Sequence, residues 1–224
     1  MTRSVDHIET WVFDLDNTLY PASSNLFDQV DRRMGQFIAA RFGLPADEAR
    51  ALQKKLFHDH GTTLRGLMTD HGVSAGDFLD FVHDIDLSVL PPQNDLVAAM
   101  EDLPGRKVVF TNGSVGHAER VLAHIGIDHL FDGIMDIVGS DFIPKPAPEP
   151  YGRLIDRFAI DPTRAAMVED MARNLEVPFQ LGMTTVWVSG GPDWAQPDDA
   201  GHIHHVVPDL AEWLHAVGPK RFAG

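Results

Sequence analysis

Short, continuous apolar runs rich in valine and other β-branched residues recur along the chain, at 10–13 (TWVF), 107–111 (KVVFT), 134–139 (IMDIVG), 165–168 (AAMV), 184–188 (TTVWV) and 204–207 (HHVV). Runs with no polar alternation predict strands buried on both faces, as in a parallel sheet. Between them, Leu96, Val97, Met100 and Leu103, then Val115, Ala118, Val121, Leu122 and Ile125, then Tyr151, Leu154, Ile155 and Phe158 recur at helical spacing. Alternating strands and helices predict an α/β fold with a doubly wound parallel sheet.

One region breaks the alternation. From about Ser23 to Ile85 only helical periodicity is present: Leu26, Val30, Met34, Phe37 and Ile38, then Leu52 and Leu56, then Phe78, Phe81, Val82 and Ile85. This predicts an all-helical cap domain over 21–88, inserted into an α/β core formed by 1–20 and 89–224. Pro21 and the Pro91-Pro92 pair suit its hinges. A helical insert placed after the first strand sits over that strand's carboxyl end, where open α/β sheets bind ligands. The stretch SGGPDWAQPDDAG (189–201) reads as a surface loop.

Composition narrows the function. Hydrophobic residues make up 44% of 224, enough for a packed core, and no cysteine is available for a disulfide, a thiol nucleophile or a thiolate metal site. No stretch approaches the ~20 apolar residues of a membrane span, and the first residues lack a secretory pattern, so the expected compartment is the cytoplasm, with no membrane partner. With 33 acidic and 18 basic residues the formal charge is -15, which repels nucleic acid polymers and anionic lipid. A small anionic substrate then requires a local cation, so a lysine near the chemistry is informative. The sequence assigns no oligomeric state.

The candidate chemistry lies at the strand ends. Asp14 and Asp16 directly follow the first apolar run, and two uncompensated carboxylates there suit a bound cation or proton transfer. On a continued strand they would face one side; a bend after Asp14 would alter this geometry. Taken alone, the pair equally suits a polar strand exit with helix-capping aspartates. A calcium loop fits poorly, because its glycine position holds Leu19 and its last ligand position holds Asn25. Thr111 and Asn112 end the second run, offering a hydroxyl and backbone N–H groups that suit phosphate oxygens, although Thr-Asn-Gly is also an ordinary turn. Lys145 stands between two prolines that hold its backbone extended, although a solvated loop lysine is the more common case. Glu169 and Asp170 close the fourth run, where an acidic helix start is the plainer reading.

Together these residues place a carboxylate pair, a hydroxyl, an ammonium and a second acidic pair at the ends of four different expected strands. The set, read as DLDNT, FTN, KP and ED, resembles the four motifs of the haloacid dehalogenase (HAD) superfamily, subfamily I. The resemblance implies a Rossmann-like, HAD-like core and an aspartyl-phosphate mechanism. In it Asp14 is the nucleophile, Asp16 the general acid and base, and Thr111, the Asn112 N–H and Lys145 hold the phosphoryl oxygens. It further implies Mg2+ bound by Asp14, the backbone carbonyl of Asp16 and Asp170, with Glu169 acting through water. Asp16 favours phosphoryl transfer over dehalogenation, since an ester oxygen leaves with a proton and a halide does not. Met171 departs from the small hydroxyl residue usual after ED, which puts a hydrogen bond near the metal in question.

FDLDNTLYP, HGTTLRGLM, TNGSVGHAERVL, KPAPEPY and EDMARNL together resemble the pyrimidine 5'-nucleotidase branch. This implies a small phosphorylated metabolite as partner, a nucleoside monophosphate such as UMP or CMP. Thr62, Thr63 and Arg65 are then candidate contacts for base, ribose or phosphate, although GTTL also reads as a helix start with a threonine N-cap. His117 lies one helical turn beyond the second motif and could approach the site, while a surface position is the more ordinary reading. His58, His60, His204 and His205 are assigned no metal, since no thiolate or carboxylate set completes a site. The rival readings are a phosphatase of another small ester, a β-phosphoglucomutase-like phosphotransferase and, more remotely, a non-catalytic phospho-receiver. Receivers are much shorter and place the phosphorylated aspartate on a later strand.

Overall fold

Trp11 and Phe13 of β1 (Thr10–Phe13) point to one side of the sheet, and Val12 between them points to the other. The same division holds in β2 (Arg106–Phe110), where Val109 joins the first apolar cluster and Val108 and Phe110 join the second. In β4 (Ala165–Glu169) Val168 and Met167 divide in the same way. Period-two side chains therefore feed two cores, and the middles of the strands are apolar at consecutive positions because both faces are covered. The computed structural model describes residues 3–191, 196 and 200–218.

With β3 (Gly133–Met135), β5 (Thr184–Val188) and β6 (His205–Val207), the strands form a six-stranded sheet in the order β3-β2-β1-β4-β5-β6. Every pairing is parallel. The chain builds outward from β1 to β3 and then crosses to β4 on the other side of β1. Loops after β1 and β4 diverge at that switch point and open a crevice at the carboxyl ends of the central strands.

The third strand is shorter than its apolar run suggests. It stops at Met135, because Asp136 turns its carboxylate onto backbone donors: Gly139 N–H donates to Oδ1 (2.8 Å) and Val115 N–H to Oδ2 (3.0 Å). A side chain that captures its own backbone competes with the sheet ladder, and here 137–140 form turns instead.

Four helices occupy the chain between β1 and the core: α1 (Leu26–Phe42), α2 (Ala46–His60), α3 (Thr63–His71) and α4 (Ala75–Val82). Val30, Ile38, Leu56, Leu67, Phe78 and Val82 gather in an apolar cluster separate from the two that flank the sheet. α5 (Asn94–Asp102) and α6 (Val115–Ile125) pack on the Trp11 face together with α9 (Leu210–Val217). α7 (Pro148–Phe158) covers the opposite face, and the short α8 (Glu176–Gln180) follows the turn after β4. No helix among the described residues is long and apolar enough to cross a membrane. The loop expected at 189–201 lies in part outside the described residues.

Candidate active site

Asp14 sits one residue past β1, and its N–H donates to Val168 O (2.9 Å), which carries the ladder to β4 past the end of the strand. The chain then bends. Thr18 and Leu19 N–H groups both donate to Leu15 O (3.3 and 3.0 Å), and Asn17 takes a left-handed φ of 61°. The bend gives the two aspartates different partners. Asp14 Oδ2 accepts from Thr18 Oγ1 (3.1 Å) and Oδ1 from Lys145 Nζ (2.6 Å). Asp16 Oδ1 instead accepts from Tyr20 OH (2.6 Å) and from His117 Nε2 (2.8 Å).

Lys145 is not a solvated loop residue: it is 2% exposed. Its ammonium donates to Asp14, to Glu169 Oε1 (2.8 Å) and to Phe110 O (2.8 Å), which uses all three of its protons. Asn112 fixes the backbone of that lysine, its Oδ1 accepting from Lys145 N (2.9 Å) and its Nδ2 donating to Lys145 O (3.4 Å). Thr111 is buried, and its Oγ1 accepts from Gly113 N–H (2.9 Å), so its hydroxyl proton remains available to donate. Gly113 is tightly placed: a Cβ there would stand 3.3 Å from both Thr111 Oγ1 and His117 Cδ2.

Glu169 and Asp170 end β4. Oxygens of Asp14, Glu169 and Asp170 lie within 4.8 Å of one another, with all three residues buried. Glu169 is held by Lys145 and Asn174 Nδ2 (2.6 Å) on Oε1 and by Met171 N–H (2.8 Å) on Oε2. The Met171 backbone thus supplies a bond that needs no side-chain hydroxyl. Trp187 Nε1 donates to Asp170 O (2.7 Å) and anchors the turn.

This crowding shows in the protonation energetics. Burial, reinforced by Glu169 and Asp16 and only partly opposed by Lys145, pushes Asp14 up to about 7. Burial and then the charges of Glu169 and Asp14 raise Asp170 well above the carboxylate range. Burial acts against the Lys145 ammonium, but Asp14 and Glu169 outweigh it and raise its pKa. For Asp16 burial is likewise overruled, by His117 and Tyr20, and its pKa falls. Three close carboxyl groups with one ammonium form a donor set that fits a hard, oxygen-seeking dication.

His117, at 1% exposure, is not the surface residue that its place one turn beyond the second motif suggests. Its ring stacks on that of His83, the residue after α4, with centroids 4.4 Å apart and planes 9° from parallel. Burial and then the adjacent His117 push the His83 ring down to about 3, so it is neutral near pH 7. Thr18 and Tyr20 each lie four residues after the aspartate they serve, a spacing legible in DLDNTLY. His83 carries no such local signal.

A cavity of about 630 Å3 opens over these groups, walled on the far side by the helices of 21–88. Phe27, Met34, Phe57 and Phe78 give that wall an apolar surface, with Arg50 and Lys54 among its polar members. Thr62 and Thr63 reach the lining, and Arg65 does not. Thr62 is the N-cap of α3, its Oγ1 accepting from Arg65 N–H (3.2 Å), and Thr63 Oγ1 donates to Gln53 O (3.5 Å). His60 pairs with Asp70 (2.9 Å) and His204 Nδ1 lies 2.8 Å from Thr185 Oγ1.

Residues 8–178 match the family model described as haloacid dehalogenase-like hydrolase. The chain belongs to the haloacid dehalogenase-like hydrolases. This hydrolase is 25% identical over 223 residues to phosphate metabolism protein 8 of Saccharomyces cerevisiae, covering 90% of this chain and 62% of the yeast protein. It is 27% identical over 198 residues to the phosphoglycolate phosphatase of Rhodospirillum rubrum, covering 80% of this chain and 79% of that one. Its fold matches that of a HAD phosphatase from Thermococcus onnurineus with a TM-score of 0.64 and 16% identity, over 94% of this chain and 97% of that chain.

Proposed function

We propose that this hydrolase is a magnesium-dependent phosphomonoester hydrolase working through an aspartyl-phosphate on Asp14, with nucleoside 5'-monophosphates, pyrimidine ones foremost, as substrates. The observation that carries the reading is the division of labour between the first two aspartates. Asp14 is held at the crevice floor by Lys145 beside Glu169 and Asp170, while Asp16 is held apart by Tyr20 and His117.

In the first half-reaction an Asp14 carboxylate oxygen attacks phosphorus, the ester P–O bond breaks, and the departing oxygen takes the proton of Asp16. In the second, water attacks the aspartyl-phosphate, gives its proton to Asp16, and the bond between phosphorus and Asp14 breaks to release phosphate. Thr111 Oγ–H and the Asn112 N–H are the donors for the phosphoryl oxygens, since the Asn112 side chain is committed to the Lys145 backbone. Mg2+ bound by Asp14 and Asp170, with the Asp16 carbonyl and with Glu169 through water, would supply the positive charge that lets Asp14 ionise in this buried setting. Lys145 supplies part of that charge itself.

The helices of 21–88 serve as the cap. The aromatic wall of a 630 Å3 cavity supports a substrate with a flat ring whose faces can stack on it, in keeping with the likeness of the sequence to pyrimidine 5'-nucleotidases. The similarity to phosphoglycolate phosphatases keeps smaller esters as the second reading. Phosphate release is to be measured from UMP, CMP, purine monophosphates, 2-phosphoglycolate and sugar phosphates, with magnesium or with chelator, using Asp14→Asn as blank. Magnesium-dependent release strongest with UMP or CMP is expected. Preference for 2-phosphoglycolate retains the chemistry and overturns the nucleotide assignment, and no release from any ester overturns both.

A further inference from the structure

Both hydrogen bonds to the Asp16 carboxylate arrive at the same oxygen. Tyr20 OH and His117 Nε2 donate to Oδ1, and no protein donor among the described residues reaches Oδ2. Asp16 lines the cavity with its side chain 16% exposed, so one oxygen is tied down and the other is left for the reacting groups. His117 is itself weakly tethered through its ring. Its Nδ1 is buried with no hydrogen-bond partner among the described residues, so apart from packing the ring is oriented by one hydrogen bond and one ring stack. The stacking partner comes from the helical insert. His83 is fastened to the core at two points: its Nδ1 lies 2.9 Å from Ser114 Oγ, and its carbonyl accepts from the Arg120 guanidinium.

We propose that Tyr20 and His117 are positioning residues that clamp Oδ1 of Asp16 so that Oδ2 carries the proton to the leaving oxygen, and that His83, from the cap, holds the His117 ring in register. The inference rests on the phosphatase reading and adds to it a coupling between cap and acid. With the His83 end of the insert docked on α6, the His117 ring is braced and Oδ2 faces the ester. With it undocked, the ring loses its stack, and only packing and its bond to Asp16 hold it. The bond changes are those of the first half-reaction: the ester P–O bond breaks, the bond from phosphorus to Asp14 forms, and the proton passes from Oδ2 to the departing alkoxide.

A merely structural clamp would weaken turnover of all esters alike, whereas a clamp on the acid matters in proportion to how badly the leaving group needs a proton. The experiment compares kcat/KM for p-nitrophenyl phosphate, whose phenolate leaves with little protonation, with that for an alkyl ester hydrolysed by the wild type, in His117→Ala, His117→Gln, Tyr20→Phe and His83→Ala. His117→Ala is expected to lower the alkyl rate by about 10²-fold and the aryl rate by less than about 5-fold. His117→Gln, which offers an amide donor near the Nε2 position, should recover part of the alkyl loss. His83→Ala should show the same selective loss at about 5–10-fold, in keeping with an action through His117.

Equal losses on both esters, or no loss in His117→Ala, would overturn the clamp. Should His117→Ala fail to fold, as shown by its melting curve, Tyr20→Phe and His83→Ala decide the matter by the same ratio. A wild type that releases phosphate from neither ester overturns the phosphatase reading itself, which distinguishes that failure from failure of the clamp.

Discussion

The two sides of the cavity are built on opposite principles. On the floor, at the ends of β1 and β4 and in the loop after β3, Asp14, Glu169 and Lys145 are buried and each is tied by two or more bonds. Lys145 makes three, Glu169 accepts three, and even the Asn112 amide is spent on holding a backbone. On the wall, Phe27, Met34, Phe57 and Phe78 present mostly non-directional surface, and the charged members Arg50 and Lys54 are exposed. The floor fixes geometry at a cost in desolvation. The wall can change occupants with small rearrangements, because apolar contact tolerates shape changes that a buried ion network does not.

The sharpest way to break this contrast is Lys145→Met. Removing the ammonium leaves Asp14 and Glu169 buried with their cation gone, so a stability loss of about 3–5 kcal/mol is expected in chemical denaturation, together with loss of turnover. A variant as stable as the wild type would show that the floor is not bound by its ion pairs. Asp170→Asn tests a smaller part of the same floor. It removes one of three crowded carboxylates, so without metal the protein should be more stable at pH 7, while the magnesium concentration for half-maximal turnover rises at least about tenfold. The sign follows from Asp170 being raised: its charged form is disfavoured by folding, and the unfavourable contribution grows as pH climbs above the ordinary carboxylate value. Thermal melts with and without magnesium, read beside the metal titration, check both halves.

Phe57→Ala sharpens the contrast from the wall side. Phe57 lies under the Arg173 guanidinium at 5.1 Å, which ties the wall to the turn after β4. Its truncation should raise KM several-fold and change the ranking of esters, with kcat within about threefold of wild type. A collapse of kcat with all esters would place Phe57 in the chemistry and erase the distinction between floor and wall.

Much of the floor was legible before any coordinates. All six strands and the helical break after the first fall on the apolar runs and periodicities, with β3 covering only the start of its run, since strand and helix patterning are local properties of the chain. Asp14, Thr111, Asn112, Lys145, Glu169 and Asp170 are at strand ends or in the loops beyond, and all six line one cavity. The wall was less legible. Of the three residues proposed there, Thr62 and Thr63 line the cavity and Arg65 lies outside it, while Phe27 and Phe57 carry no signal that separates them from other apolar residues on helices.

What the sequence determined by itself is therefore the order of elements and the chemical identity of the groups at their ends, both encoded in neighbours a few residues apart. What only the tertiary structure decided is which of those groups meet. His117 reaches Asp16 across 101 residues, Lys145 reaches Asp14 across 131, and His83 reaches Ser114 across 31. The first two meetings depend on β2 and β3 lying on one side of β1 in the sheet, and the third on how the helical insert packs against α6. A buried polar group must find a partner wherever the fold provides one, so its partner follows from packing of the whole chain rather than from spacing along it.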